Sequence, residues 1–149
     1  MSHQKSMFEL SLSVYKLSRS MTDFVQQQMI IKGIDDLHPT SGTLLLSLLE
    51  KDGQTLSELA RLNHMKAPTI TLVANRLEKK GWIRRERCLE DRRNVHVMLT
   101  GMGRKHAKIF AAIRRKTASL MASGLNGESI DQTNETLNRI ISNVNNNVV

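Results

Sequence analysis

Two short helix signatures, close together and followed by an alternating hairpin pattern, constrain this chain more than any other feature. Thr55-Leu56-Ser57-Glu58 has the Thr-x-x-Glu spacing in which each end satisfies an orphan backbone donor of the other. It predicts a short helix with Leu59, Ala60 and Leu62 inward. After Asn63-His64-Met65 a second helix can start around Ala67-Pro68, because proline in a first turn gives up no hydrogen bond. In it Ile70, Val73, Ala74 and Leu77 recur at helical spacing as a buried stripe, which leaves Thr69, Thr71, Leu72, Asn75 and Arg76 outward. Gly81 ends this helix after Lys79-Lys80, cations that suit a helix C-terminus. Trp82-Ile83-Arg84-Arg85-Glu86-Arg87 and Asn94-Val95-His96-Val97-Met98-Leu99 then read as two strands around a polar, basic tip at Cys88-Leu89-Glu90-Asp91-Arg92-Arg93.

Long helices flank this unit. Met7, Leu10, Val14, Leu17, Met21 and Phe24 are spaced three and four apart on a polar background, a narrow apolar seam that should end near Gly33. His38-Pro39 opens another helix, apolar on most sides through Leu44, Leu45, Leu46, Leu48 and Leu49, which should be central and closed by Asp52-Gly53. Past Thr100-Gly101 a long helix runs to about Ser123. Beyond Leu125-Asn126-Gly127 a last one carries Ile130, Leu137, Ile140, Ile141 and Val144 on one face. The expected class is mainly α with a small β-hairpin wing.

Charge narrows the partners. The 149 residues hold 22 Lys plus Arg against 14 Asp plus Glu, a net +8. From Arg76 to Lys116 there are 14 bases and 4 acids, a net +10; the remainder holds 8 bases and 10 acids, a net −2. One segment therefore carries the whole surplus. It is either a solvated face or the footprint of a polyanion, and Gly81, Gly101 and Gly103 break it into pieces no single helix could contain. Distribution over a helix, a hairpin and another helix argues against a membrane-surface stripe. No secretory leader and no bilayer-spanning apolar run is seen, so a cytoplasmic, nucleoid-associated setting is expected.

Two short helices joined by a tight turn and followed by a hairpin form a helix-turn-helix with a wing. In such a unit the second helix enters the major groove of double-stranded DNA, and the first lies across the backbone. Thr69, Thr71 and Asn75 are short hydrogen-bonding side chains, and asparagine can pair bidentately with adenine. Ser57, Lys66 and Arg76 suit phosphates. Arg92 or Arg93 at the tip could enter the neighbouring minor groove. Leu72 either meets thymine methyls or packs against the wing. Pro68 and Arg85 complete the expected DNA-binding set.

The runs Leu56-Ser57-Glu58-Leu59-Ala60, Thr71-Leu72-Val73-Ala74-Asn75-Arg76-Leu77-Glu78-Lys79-Lys80-Gly81-Trp82, Asp91-Arg92-Arg93 and Leu99-Thr100-Gly101-Met102-Gly103 resemble the MarR (multiple antibiotic resistance regulator) family. Roughly residues 37 to 110 carry the likeness. It implies a homodimeric winged regulator, a repressor or activator, on a pseudopalindromic operator. Residues 37–100 would be the DNA-binding lobe, and 1–36 with 101–149 the helical dimerisation region. It also implies that Asp91 orients a neighbouring base, that Arg93, with or without Arg92, enters the minor groove, and that Arg76 supports backbone and wing. An effector pocket, for a small apolar or aromatic ligand, would lie between the two regions, with Tyr15, Arg19 and His38 as polar contacts. The rival reading is a non-specific architectural DNA- or RNA-binding module without an effector.

Other chemistry is weakly represented. His3, His38, His64, His96 and His106 form no pair at ligand spacing, so no metal or other cofactor is expected. Cys88, the single cysteine, reads as a packing or exposed thiol. No phosphate loop, nucleophile motif or carboxylate pair stands out, and the chain is not expected to be an enzyme.

Overall fold

The computed structural model describes residues 2–34, 36–87 and 95–147. They divide into two compact units, 1–115 and 116–149. The first holds α1 (Ser2–Ile31), α2 (Pro39–Glu50), β1 (Gln54–Thr55), α3 (Leu56–Leu62), α4 (Ala67–Lys79), β2 (Ile83–Arg87), β3 (Val95–Leu99) and most of α5 (Gly101–Met121). The second holds the end of α5 and α6 (Gly127–Asn145).

Local chemistry explains the boundaries. His38 caps α2, its Nδ1 accepting from the Thr40 N–H at 3.2 Å, with Pro39 in the first turn. Both halves of the Thr55/Glu58 box form at the start of α3. α4 opens at Ala67-Pro68 behind Lys66, whose side chain makes no cap. Between α3 and α4, His64 takes a left-handed backbone with φ 51°, and Asn63 Nδ2 donates to the Leu59 carbonyl and to Ser47 Oγ. The turn is thereby pinned to α2.

Leu44, Leu45 and Leu48 of α2 are fully buried and sit in a core with Leu59, Ile70, Val73, Ala74 and Leu77. Val25 and Met29 from the end of α1 and Ala107, Phe110 and Ile113 from α5 join the same core. Gly42 packs its backbone on the Phe110 ring, where a Cβ would collide. The chemical consequence is a rigid floor beneath α4, since interiors packed at this density resist displacement.

The sheet is antiparallel with order β1-β3-β2. β2 pairs with β3 from Ile83↔Leu99 to Arg87↔Val95, and β1 adds Gln54↔Val97 and Thr55↔His96. The hairpin is thus the outer part of a three-stranded sheet. β1 has two residues, too few for an alternation to register in the sequence. The tip residues Cys88, Asp91, Arg92 and Arg93 lie outside the described residues. Among the described residues no helix is long and apolar enough to cross a membrane.

In the second unit α6 is capped by Asn126, whose Oδ1 accepts from the Ser129 N–H at 2.8 Å. It has no buried residue, and Ile141 and Val144 lie exposed.

Candidate nucleic-acid interface

The buried stripe of α4 is Ile70, Val73, Ala74 and Leu77. Directly opposite, at spacings of four, three and four, lie Pro68, Leu72, Asn75 and Lys79, all exposed. Thr69 and Arg76 flank this ridge on one side and Thr71 on the other, also exposed. Leu72 is half exposed at 51%, so its apolar surface is available outside the core. Ser57 is exposed in the first turn of α3, and Lys66 just ahead of α4. Among the described residues no ion pair holds Lys66, Arg76 or Lys79.

Two of the expected readers are already committed on one side. The Thr71 hydroxyl donates to the Ala67 carbonyl at 2.8 Å, so its lone pairs face outward. Arg85 does not project away from the protein; it reaches from β2 to α4. Its Nη1 donates to Glu78 Oε2 at 2.6 Å and its Nη2 to Asn75 Oδ1 at 2.7 Å. Strand and helix are joined by charge-assisted bonds of a stronger kind.

The wing is braced at its root. Asp52 Oδ1 accepts from the N–H groups of Leu99 at 2.9 Å and Gly53 at 3.2 Å, while Oδ2 accepts from Arg104 Nη2 at 2.7 Å. Thr100 Oγ1 donates to the Gly81 carbonyl at 2.7 Å and accepts from the Gly103 N–H at 3.0 Å. Lys80 pairs with Asp36 and lies over the Trp82 ring, which stacks on His106 at 4.1 Å. Glu58 has its carboxyl held below the ordinary glutamate range, chiefly by the Thr55 backbone N–H and then by the Thr55 hydroxyl.

A cavity of about 500 Å³ opens in the same unit. Its wall includes Val14, Leu17, Met21 and Val25 of α1, Thr43 of α2, Met65 after α3, and Phe110 and Arg114 of α5. Val14, Leu17 and Met21, part of the narrow seam, therefore face a void. Tyr15, Arg19 and His38 are not in the wall. Tyr15 is exposed, Arg19 lies 4.0 Å from Asp23, and the His38 ring is used in capping. Among the described residues no group of His, Cys, Asp and Glu could hold a metal ion.

Sequence reasoning missed Lys79, Glu78 and Asp52. Lys79 could have been found from the spacing of four after Asn75; Glu78 and Asp52 act through strands whose approach no local pattern announces.

A helix-turn-helix on a packed floor, an exposed ridge on α4 and a braced basic hairpin define a winged-helix protein of the transcription-regulator class. The chain belongs to the MarR family: the family's model matches residues 37–95. The organic hydroperoxide resistance transcriptional regulator of Bacillus subtilis (strain 168) is 31% identical over 101 residues, 68% of this chain and 67% of that protein. The fold is similar to that of MepR from S. aureus in complex with DNA, with TM-score 0.80, 24% identity and coverage of 89% of this chain and 96% of that one. It is also similar to overoxidized AbfR bound to DNA, with TM-score 0.69, 26% identity and coverage of 94% and 97%.

Proposed function

We propose that the protein is a homodimeric, sequence-specific DNA-binding repressor that reads a pseudopalindromic operator in the cytoplasm. The observation that carries this reading is the exposed α4 ridge, seated on a buried core beside a hairpin within the +10 segment. Pro68, Thr69, Thr71, Leu72 and Asn75 meet base edges in the major groove; Ser57, Lys66 and Arg76 meet phosphates. Asp91, Arg92 and Arg93 belong to the minor-groove contact. Residues 1–36 and 101–149 supply the pairing surface, as the exposed Met7, Phe8 and Leu10 of α1 and Ile141 and Val144 of α6 support. Repression follows if the bound dimer occludes the promoter.

A small apolar or aromatic effector would occupy the cavity, whose size falls in the range of ligand sites and whose wall mixes Phe110 and methionines with Thr43 and Arg114. It would act only through its different affinities for the two dimer geometries.

Competition binding tests the reading. Labelled promoter duplex from the protein's own locus should be displaced at least about 1,000-fold more effectively by the same sequence than by random duplex. Equal displacement would leave a non-specific architectural protein instead.

A further inference from the structure

Leu72 stands at the centre of the exposed face of α4. Its neighbours one turn away are Pro68, Thr69, Asn75 and Arg76, all exposed, while the opposite face is the buried stripe of Ile70, Val73, Ala74 and Leu77. Leu72 is 51% exposed and belongs neither to the core nor to the partly buried residues packed on it, so the fold itself does not account for an apolar side chain there. Pro68, one turn earlier, extends the apolar surface. The surroundings are of the opposite kind: Lys66, Arg76 and Lys79 are exposed cations, and among the described residues none of the three has an ion-pair partner. A surface apolar in the middle and cationic around it is complementary to a duplex groove, whose floor is uncharged and whose walls are phosphate.

Leucine can neither donate nor accept a hydrogen bond, so it covers polar base edges only at the cost of their water. The major groove offers it one apolar group, the C5 methyl of thymine. We propose that Leu72 is a specificity-determining residue that reads the C5 methyl of a pyrimidine: it selects thymine in unmodified DNA, and it prefers 5-methylcytosine, which carries the same methyl on the same ring carbon, over cytosine. Base choice at that position then rests on an apolar contact, and methylation of the DNA alters affinity without any change of sequence. The inference rests on α4 being the recognition helix of the proposed regulator.

Two full-length proteins test it, wild type and Leu72→Ala, the second keeping its Tm within about 3 °C because the side chain is not packed in the core. Selection from a randomised duplex pool comes first, and the position where Leu72→Ala loses the wild-type preference for thymine is the one that Leu72 reads. The selected duplex is then made with thymine or uracil there, which differ only by the methyl, and with 5-methylcytosine or cytosine, each opposite its complement. Wild type should favour the methylated member of each pair by about fourfold for each methyl, or about fifteenfold when both half-sites are changed. Leu72→Ala should bind the two members of a pair within about twofold, since the shorter side chain falls away from the methyl. A Leu72 with a merely structural part would weaken all four duplexes alike and leave the wild-type ratios in the variant. No thymine position altered by Leu72→Ala, equal binding of either pair by the wild type, or the wild-type ratios kept by Leu72→Ala overturns the inference while the regulator reading stands. Enrichment of no sequence by the wild-type protein overturns both.

Discussion

Gly103 has backbone on the side where a Cβ would stand: the carbonyl of Trp82 occupies that space, and it is already the acceptor for the Thr100 N–H at 3.0 Å. Backbone cannot swing away as a flexible side chain could. Gly103→Ala should therefore destabilise by about 3 kcal/mol and lower Tm by roughly 10 °C, read by thermal unfolding. Gly101, two residues earlier, has open space at the same point and its alanine variant is the control. Glu58 gives a second test at this scale. Its carboxyl is lowered because Thr55 donates to the charged form, so its contribution is complete above the ordinary glutamate range and lost as pH falls through the lowered value. The stability gap between wild type and Glu58→Ala should be constant near neutrality and shrink below about pH 4 in urea titrations. The Thr55/Glu58 box was legible in the sequence because its four residues are contiguous. The Gly103 contact was not, since the carbonyl comes from a residue on the other side of the hairpin.

At the scale of elements, α4 was readable almost to its limits because amphipathic period, proline start and glycine stop all agree. Two-residue β1 was invisible, yet it makes β3 the middle strand of the sheet. Buried Gln54 belongs to it, and its Nε2 donates to the Ser47 and Lys51 carbonyls at the end of α2 at 2.9 and 2.8 Å. Such a link depends on chain reversal, which periodicity does not encode. Asp52 is the clearest case, with partners at Leu99 and Arg104 far along the chain. Asp52→Ala strands the Leu99 and Gly53 donors and should cost about 2 kcal/mol, seen as a lower urea midpoint. Asp52→Asn keeps one carbonyl oxygen for Leu99 and should recover most of that loss, because the Arg104 pair it gives up is partly exposed.

For the whole molecule, regional charge singled out the segment that holds the hairpin and the start of α5, whereas the cavity lining was hidden. Val14, Leu17 and Met21 have the spacing of a pairing seam, and nothing in that spacing distinguishes a partner helix from a void. Pairing itself is testable at this scale. Phe8→Glu and Ile141→Glu place charge on exposed apolar positions of α1 and α6 and should each shift sedimentation at micromolar concentration from dimer to monomer. Operator affinity should fall by about 100-fold, since two half-sites bound through one linked reader lose their effective concentration.

One helix also joins two duties. α5 carries Arg104, which grips Asp52 at the wing root, and two to three turns later Phe110 and Arg114 in the cavity wall. A continuous helix is stiff over that length, so the two ends keep a fixed offset. Heritable change is therefore constrained: a substitution that reshapes the cavity by shifting α5 also alters how the hairpin is carried. On the proposed reading of cavity and hairpin, a change of effector and a change of operator would then be coupled.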